Sequence, residues 1–189
     1  MPTPDRTSVD EIIQAGRDIL ESDGPARLTM QAVAVRVGVR PPSLYKRVLN
    51  RDDLVGLITE ATVRDLGERL AAVEAGGDAR AELALMTQAI RAFARGRPAG
   101  FALIFAPRAD PGRPDVETLV KAVAPVLRAA AILAGEEHAL EAARTITAWA
   151  YGFISMELAG AFSLGGDVDR AYEFGISRLT DALAARRPG

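Results

Sequence analysis

Apolar residues in this chain recur three and four positions apart, and a Pro or Gly stands at nearly every point where that rhythm stops. Val and Ile are scattered through long windows and do not alternate in short runs. Aromatics make up only 5% of the residues, while Ala, Leu and Arg are abundant. These traits favour helix over sheet, so the expected fold is all-α. A chain of 189 residues can bury a real core and suits either one helical domain or a small head joined to a larger body, of which the second is expected.

The helices can be laid out from their start and stop signals. Ser8 and Glu11 form an S-x-x-E capping box that opens a first helix carrying Ile12, Ile13, Ala15, Gly16, Ile19 and Leu20, closed by Gly24-Pro25. Thr29 is the N-cap of a short second helix with Val33 and Val37 on its buried face, and Gly38 is its left-handed stop. A third helix begins with Pro41 and Pro42 in its first turn, where a missing N–H costs little. It keeps Leu44 and Val48 on one face and ends near Asn50. Asp52 is the expected N-cap of a long fourth helix that reaches Gly76-Gly77. Further helices are expected over 78–95, 98–105, 115–133, 136–164 and 167–187, with Pro125 kinking or interrupting its own. The division expected from this layout is a head at 1–51 and a body at 52–189.

Net charge is only −2, but it is unevenly distributed. Between Gly24 and Arg51 there are six cations, Arg27, Arg36, Arg40, Lys46, Arg47 and Arg51, and no Asp or Glu, so the remainder carries −8. A basic island in an acidic protein can dock on phosphate while the rest of the surface resists non-specific adsorption. Helix, three-residue turn and helix fit within 29–50, the length of a helix-turn-helix, whose second helix must show one face to a major groove. Val33, Val37, Val39, Leu44 and Val48 would fasten the two helices together, leaving Arg40, Pro41, Ser43, Lys46 and Arg47 outward beside Tyr45. Lys and Arg reach phosphates or guanine edges, Ser bonds a phosphate or base, and Pro41 offers an apolar edge to a thymine methyl.

The run Gly38-Val39-Arg40-Pro41-Pro42-Ser43-Leu44-Tyr45-Lys46-Arg47-Val48, followed by Asn50-Arg51-Asp52-Asp53-Leu54, resembles the TetR-family signature, as does the Leu28-Thr29 entry to the second helix. The resemblance covers about the first third of the chain. It implies that Thr29 and Tyr45 bind backbone phosphate, that Arg51 approaches phosphate near the fourth helix, and that Pro41, Ser43 and Lys46 lie near bases. Arg27 and Arg40 complete the expected DNA-binding set with Arg47. The chain departs from the pattern at Val48, where an aromatic is usual, and at Arg47, where His is frequent; both replacements keep the local character.

Ala92-Phe93-Ala94 through Pro98 to Phe105, with Trp149-Ala150-Tyr151-Gly152 and the residues to Leu158, resembles the TetR C-terminal subgroup named after its Trp-His-Gly motif, with Tyr151 in place of the histidine. Met86, Phe93, Phe101, Phe105, Trp149, Tyr151 and Phe153 are either the lining of an apolar effector pocket or simply core. The last two helices are apolar on more than one face and carry small residues at Ala142, Ala148, Gly152, Ala159 and Gly160. They are expected to form a four-helix dimer interface, the alternative being an intrachain bundle.

Other chemistries find little support. The absence of cysteine removes disulfides, thiolate metal sites and cysteine nucleophiles. Ser43-Leu44-Tyr45-Lys46 has the S-x-x-K spacing of serine acyl-enzymes, but neither an S-D-N nor a K-T-G element accompanies it. His138 is the only histidine and, beside Glu136, Glu137 and Glu141, makes a poor metal site without a second nitrogen or sulfur ligand. No enzyme, metal or cofactor is expected. The N-terminus is polar, with Asp5 and Arg6, and the apolar stretch 146–164 is broken by Gly152, Glu157 and Gly160. A signal peptide and a membrane span are therefore not expected, and the cytoplasm is the expected compartment. The expected function is transcriptional regulation, as a homodimeric repressor released from near-palindromic double-stranded operator DNA by a small-molecule effector. The alternative is a helical ligand-binding or scaffolding protein without DNA binding.

Overall fold

The computed structural model describes residues 7–74, 76–106 and 114–184, and every regular element among them is helical. The elements are α1 (Val9–Asp23), α2 (Met30–Arg36), α3 (Pro41–Leu44), α4 (Arg51–Ala71), α5 (Ala79–Gly96), α6 (Pro98–Phe105), α7 (Val116–Ala134), a 3-10 turn (Glu136–His138), α8 (Ala139–Leu158) and α9 (Val168–Leu183). They divide into two compact units, one of Met1–Asp65 with Arg97–Leu119 and one of Leu66–Gly96 with Val120–Gly189, over their described residues.

The first unit is built on α1. Both bonds of its capping box are present: the Ser8 hydroxyl accepts from the Glu11 amide at 3.1 Å, and the Glu11 carboxylate accepts from the Ser8 amide at 2.8 Å. Ile12, Ile19 and Leu20 of α1 meet Leu28, Val33, Leu44, Val48, Leu54 and Ile58 in one core. Ala99 and Leu103 of α6 pack against the same core. The backbone amides of Ala99 and Gly100, in the first turn of α6, donate to the Glu21 carboxylate of α1 at 3.0 and 2.7 Å. Arg97, the N-cap residue of α6, makes no side-chain cap of its own, so an acid 78 positions away satisfies these orphan donors and complements the helix dipole. A Cβ on Gly100 would stand 3.0 Å from Glu21 Oε1. Asp65 ties Arg17 and Arg97 at 3.0 and 3.1 Å.

The second unit gathers Leu70, Leu83, Met86, Val126, Ala129, Leu133, Ile146 and Ile176. α7 passes Pro125 without interruption. Arg91 lies buried among α5, α8 and α9. It donates Nε and Nη2 to the two carboxylate oxygens of Glu157 at 2.7 and 2.6 Å, contacts Asp169, and lies over the ring of Tyr172 with 4.6 Å to its centroid. The Tyr172 hydroxyl donates to the Thr87 carbonyl at 2.8 Å, and burial pushes its pKa up to about 12, so it stays a protonated donor. Trp149 packs against the helix backbone at Gly175, where a Cβ would collide with its ring.

Three expected boundaries are corrected. α3 ends at Leu44 and gives way to turns, because Arg47 N–H bonds the Leu44 carbonyl three residues back; the Val48 N–H still reaches Leu44, so both apolar side chains stay buried. The long fourth helix begins at Arg51, capped by Asn50 rather than Asp52, and its regular part ends at Ala71. The expected helix over 136–164 is a 3-10 turn followed by α8, which stops at Leu158. Gly160, at φ +66°, closes it by a Schellman arrangement in which Gly160 N–H bonds Glu157 and Ala161 N–H bonds Met156.

Removing one partner of a buried ion pair leaves the other charge uncompensated, so Arg91→Ala is expected to lower the unfolding free energy by about 3–5 kcal/mol, read from the denaturant midpoint. The hydrogen bonds from Arg91 hold the Glu157 carboxyl below its ordinary range. This contribution is complete above about pH 4.3 and is lost as pH falls below it, so acid titration of Glu157→Gln should be flatter there than that of the wild type. Glu21→Ala should speed amide exchange at Ala99 and Gly100, read by NMR.

Candidate nucleic-acid interface

The local chain path over 29–50 follows from a few residues. The Thr29 hydroxyl accepts from the Ala32 amide at 3.1 Å and starts α2. Its own O–H remains available to donate, since a hydroxyl both accepts and donates. At the other end Gly38, at φ +73°, bonds Val35, and Val39 N–H reaches back to Ala34, which turns the chain sharply. Arg40 then precedes α3, with Pro41 and Pro42 in its first turn. Val33, Leu44 and Val48 are buried, while Val37 and Val39 pack partly buried against the same core.

What this leaves outside is a cationic surface. Arg27, Arg36, Arg40, Lys46 and Arg47 are exposed, as are Thr29, Ser43 and Tyr45, and Pro41 is half-buried. Among the described residues none of Arg27, Arg36, Arg40 and Lys46 is held in an ion pair. Arg27 and Thr29 share an open groove with Ile19, Asp23, Ala26 and Ala32. The α3 residues and the α1–α2 loop thus present phosphate-binding and base-binding side chain types from one small unit.

Arg51 stands apart. Its guanidinium donates Nε to the Leu28 carbonyl at 2.7 Å and Nη2 to the Pro25 carbonyl at 2.8 Å, and Asp52 is only a 3.9 Å neighbour. Two further residues that sequence reasoning missed hold the start of α4. The Asn50 side chain accepts from the Asp53 amide at 2.9 Å, and Asp53 accepts from the Leu49 amide at 2.7 Å. The N-x-x-D spacing was a visible signal for that pair; the carbonyl partners of Arg51 left none.

The residues expected around an effector are distributed between the two units. Phe101, buried, and Phe105, partly exposed, belong to the first and make an edge contact at 5.4 Å between ring centroids. Met86 and Phe93 are buried in the second, where Trp149 lies tilted against Tyr172 at 4.9 Å, Phe153 meets Tyr172 edge-on at 5.0 Å, and Phe162 adds to Phe153 at 4.7 Å. Tyr151 is 37% exposed on α8. Tyr172 and Phe162 were not singled out from sequence. His138 is exposed in the 3-10 turn, and among the described residues no three His, Cys, Asp or Glu side chains gather as a metal site. Among the same residues no helix is long and apolar enough to cross a membrane.

Residues 83–179, just over half of the chain, match the family model described as the tetracyclin repressor-like, C-terminal domain. The chain belongs to the TetR family. The finer likeness to the Trp-His-Gly subgroup stays a resemblance. This TetR-family chain is 25% identical over 188 residues to an uncharacterized HTH-type transcriptional regulator, Rv0681, of Mycobacterium tuberculosis, covering 97% of this chain and 84% of that one. It is also similar to BioQ, solved with its natural double-stranded DNA operator, at 26% identity and a TM-score of 0.71, over 95% of this chain and 99% of BioQ. A possible TetR family transcriptional regulator from Streptomyces coelicolor A3(2) shares the fold at 19% identity, with a TM-score of 0.72 over 93% and 98% of the two chains.

Because Asn50 is the side-chain cap of α4, Asn50→Ala is expected to destabilise the head by about 0.5–2 kcal/mol. Thermal unfolding followed by circular dichroism would measure it, and an unchanged midpoint would mean that Asp53 alone secures this helix start.

Proposed function

We propose that this TetR-family chain is a homodimeric transcriptional regulator that reads a near-palindromic operator through its head and represses until a small-molecule effector binds its body. The observation that carries the reading is the acid-free cationic surface of 24–51 displayed around a helix-turn-helix, in a chain that is otherwise acidic. The similarity to BioQ, which is solved on its operator, supports it. One head offers few contacts; a twofold dimer supplies the second half-site. Leu140, Ala148, Tyr151 and Leu158 lie exposed on one flank of α8, and Phe174 is 66% exposed on α9, surface of the kind a second copy would cover.

In this reading Tyr45, Thr29, Arg27 and Arg47 meet the phosphate backbone, while Pro41, Ser43, Lys46 and Arg40 face the bases. The effector site lies in the second unit near Met86, Phe93, Trp149 and Phe153, with Tyr151 at its edge. Phe101 and Phe105, which fall in the first unit, are left out of that site. α4 contributes residues to both units and is the coupling element, shifting the spacing of the two heads when the effector binds. Operator affinity that stays constant with every small molecule that measurably binds the protein would remove the coupling.

The deciding experiment titrates the purified protein onto the DNA flanking its own gene and onto random duplex at two salt concentrations. Selective, salt-sensitive binding that footprints a near-palindrome is expected; equal weak binding to both would leave a helical ligand-binding or scaffolding protein. Tyr45→Phe should weaken binding to all sequences alike. Lys46→Ala should change base preference at one position, and equal losses on operator and random duplex would take Lys46 out of base readout.

A further inference from the structure

Arg51 closes the cationic stretch and opens α4, a place from which a guanidinium can reach a phosphate. Its geometry assigns it elsewhere. Nε and Nη2 form one edge of the planar fork, the edge with which Arg makes paired hydrogen bonds. That edge is occupied by the carbonyls of Leu28 and Pro25, at 2.7 and 2.8 Å and across 23 and 26 residues of chain. These two carbonyls flank Arg27. The same loop bends through the 3.1 Å bond from Arg27 N–H to the Gly24 carbonyl, and Leu28 is buried under it. Arg27 and Thr29 therefore leave the surface from a segment that is anchored beneath by Leu28 and held at both sides by one side chain.

We propose that Arg51 is a positioning residue: it fixes the loop between α1 and α2 so that Arg27 and Thr29 meet the DNA backbone at a set height relative to α3, and it is not itself a phosphate ligand. The proposal rests on the operator-binding reading above. Its physical advantage is preorganisation, since a loop held before binding loses less conformational freedom when it docks. It also accounts for arginine at this place: a lysine ammonium is a point charge on a flexible stem and cannot hold two carbonyls in a fixed planar geometry.

The test measures operator affinity against salt for the full-length protein and for Arg27→Ala, Arg51→Lys, Arg51→Ala and the Arg27→Ala/Arg51→Ala double variant. Amide exchange over 26–29 is followed alongside in the DNA-free protein. Each lost phosphate contact lowers the slope of log K against log salt by about one. The proposal expects Arg27→Ala to lower the slope by about one and the double variant to lower it no further. It expects Arg51→Lys, which keeps the charge, to weaken binding and to speed exchange in the loop. A double variant whose slope falls by about two, or an Arg51→Lys protein that binds like the wild type with the loop equally protected, overturns it in favour of a direct phosphate contact. Should Arg51→Ala not fold, Arg51→Lys carries the comparison alone. A wild-type protein that does not prefer operator over random duplex would instead remove the DNA-binding reading, and the role assigned to Arg51 with it.

Discussion

A helix of four residues has no stability of its own, because the first turn fixes several dihedral angles for a single hydrogen bond. α3 exists only because Leu44, and Val48 in the turn after it, are buried against α1, α2 and the start of α4. The head depends on that seating. It turns Ser43, Tyr45, Lys46 and Arg47 outward together, and it sets the direction in which the chain enters α4. Gly38 makes the approach possible by taking the left-handed conformation where α2 ends, and the two prolines cost nothing because the amides they lack would have had no helical partner.

Around this small core the head is braced by polar contacts between segments distant in sequence. Glu21 receives the first free amides of α6, and Asp65 holds Arg17 and Arg97. Arg51 holds the loop after α1 by its carbonyls, while Asn50 and Asp53 secure the first turn of α4. None of these is a large energy by itself. Their common effect is to define where the ends of short helices lie, which apolar packing alone leaves loosely specified. A surface that must match a groove needs that definition more than it needs added stability.

The second unit meets a different demand. A guanidinium buried among aromatic rings would be prohibitive alone. Here Glu157 answers it with both oxygens, Asp169 adds a further acceptor, and the ring faces of Tyr172 and Phe153 cover it. Such a cluster contributes little net stability relative to a well-packed apolar equivalent, but removing one member leaves a buried charge uncompensated. The close pass of Trp149 over Gly175 restricts α8 and α9 by shape.

The capping box at Ser8, the cap at Thr29 and the stop at Gly38 were legible in the sequence because each depends on residues within about one helical turn of one another, while the all-helical class and the exposed cationic face were legible from apolar spacing and from the acid-free run 24–51. Boundaries were less so: α8 reads as apolar through Leu164, yet Gly160 closes it, since an apolar pattern does not reveal which glycine takes a positive φ. The partners of Arg51, Glu21 and Arg91 were beyond reach, because hydrogen bonds across 23 to 79 residues are set by how helices pack, and a charged side chain carries no mark of which distant carbonyl, amide or carboxylate it will meet. The sequence by itself determined that a cationic helix-turn-helix would form and what it would display; only the tertiary structure decided which of those cations face solvent and which one holds the loop in place.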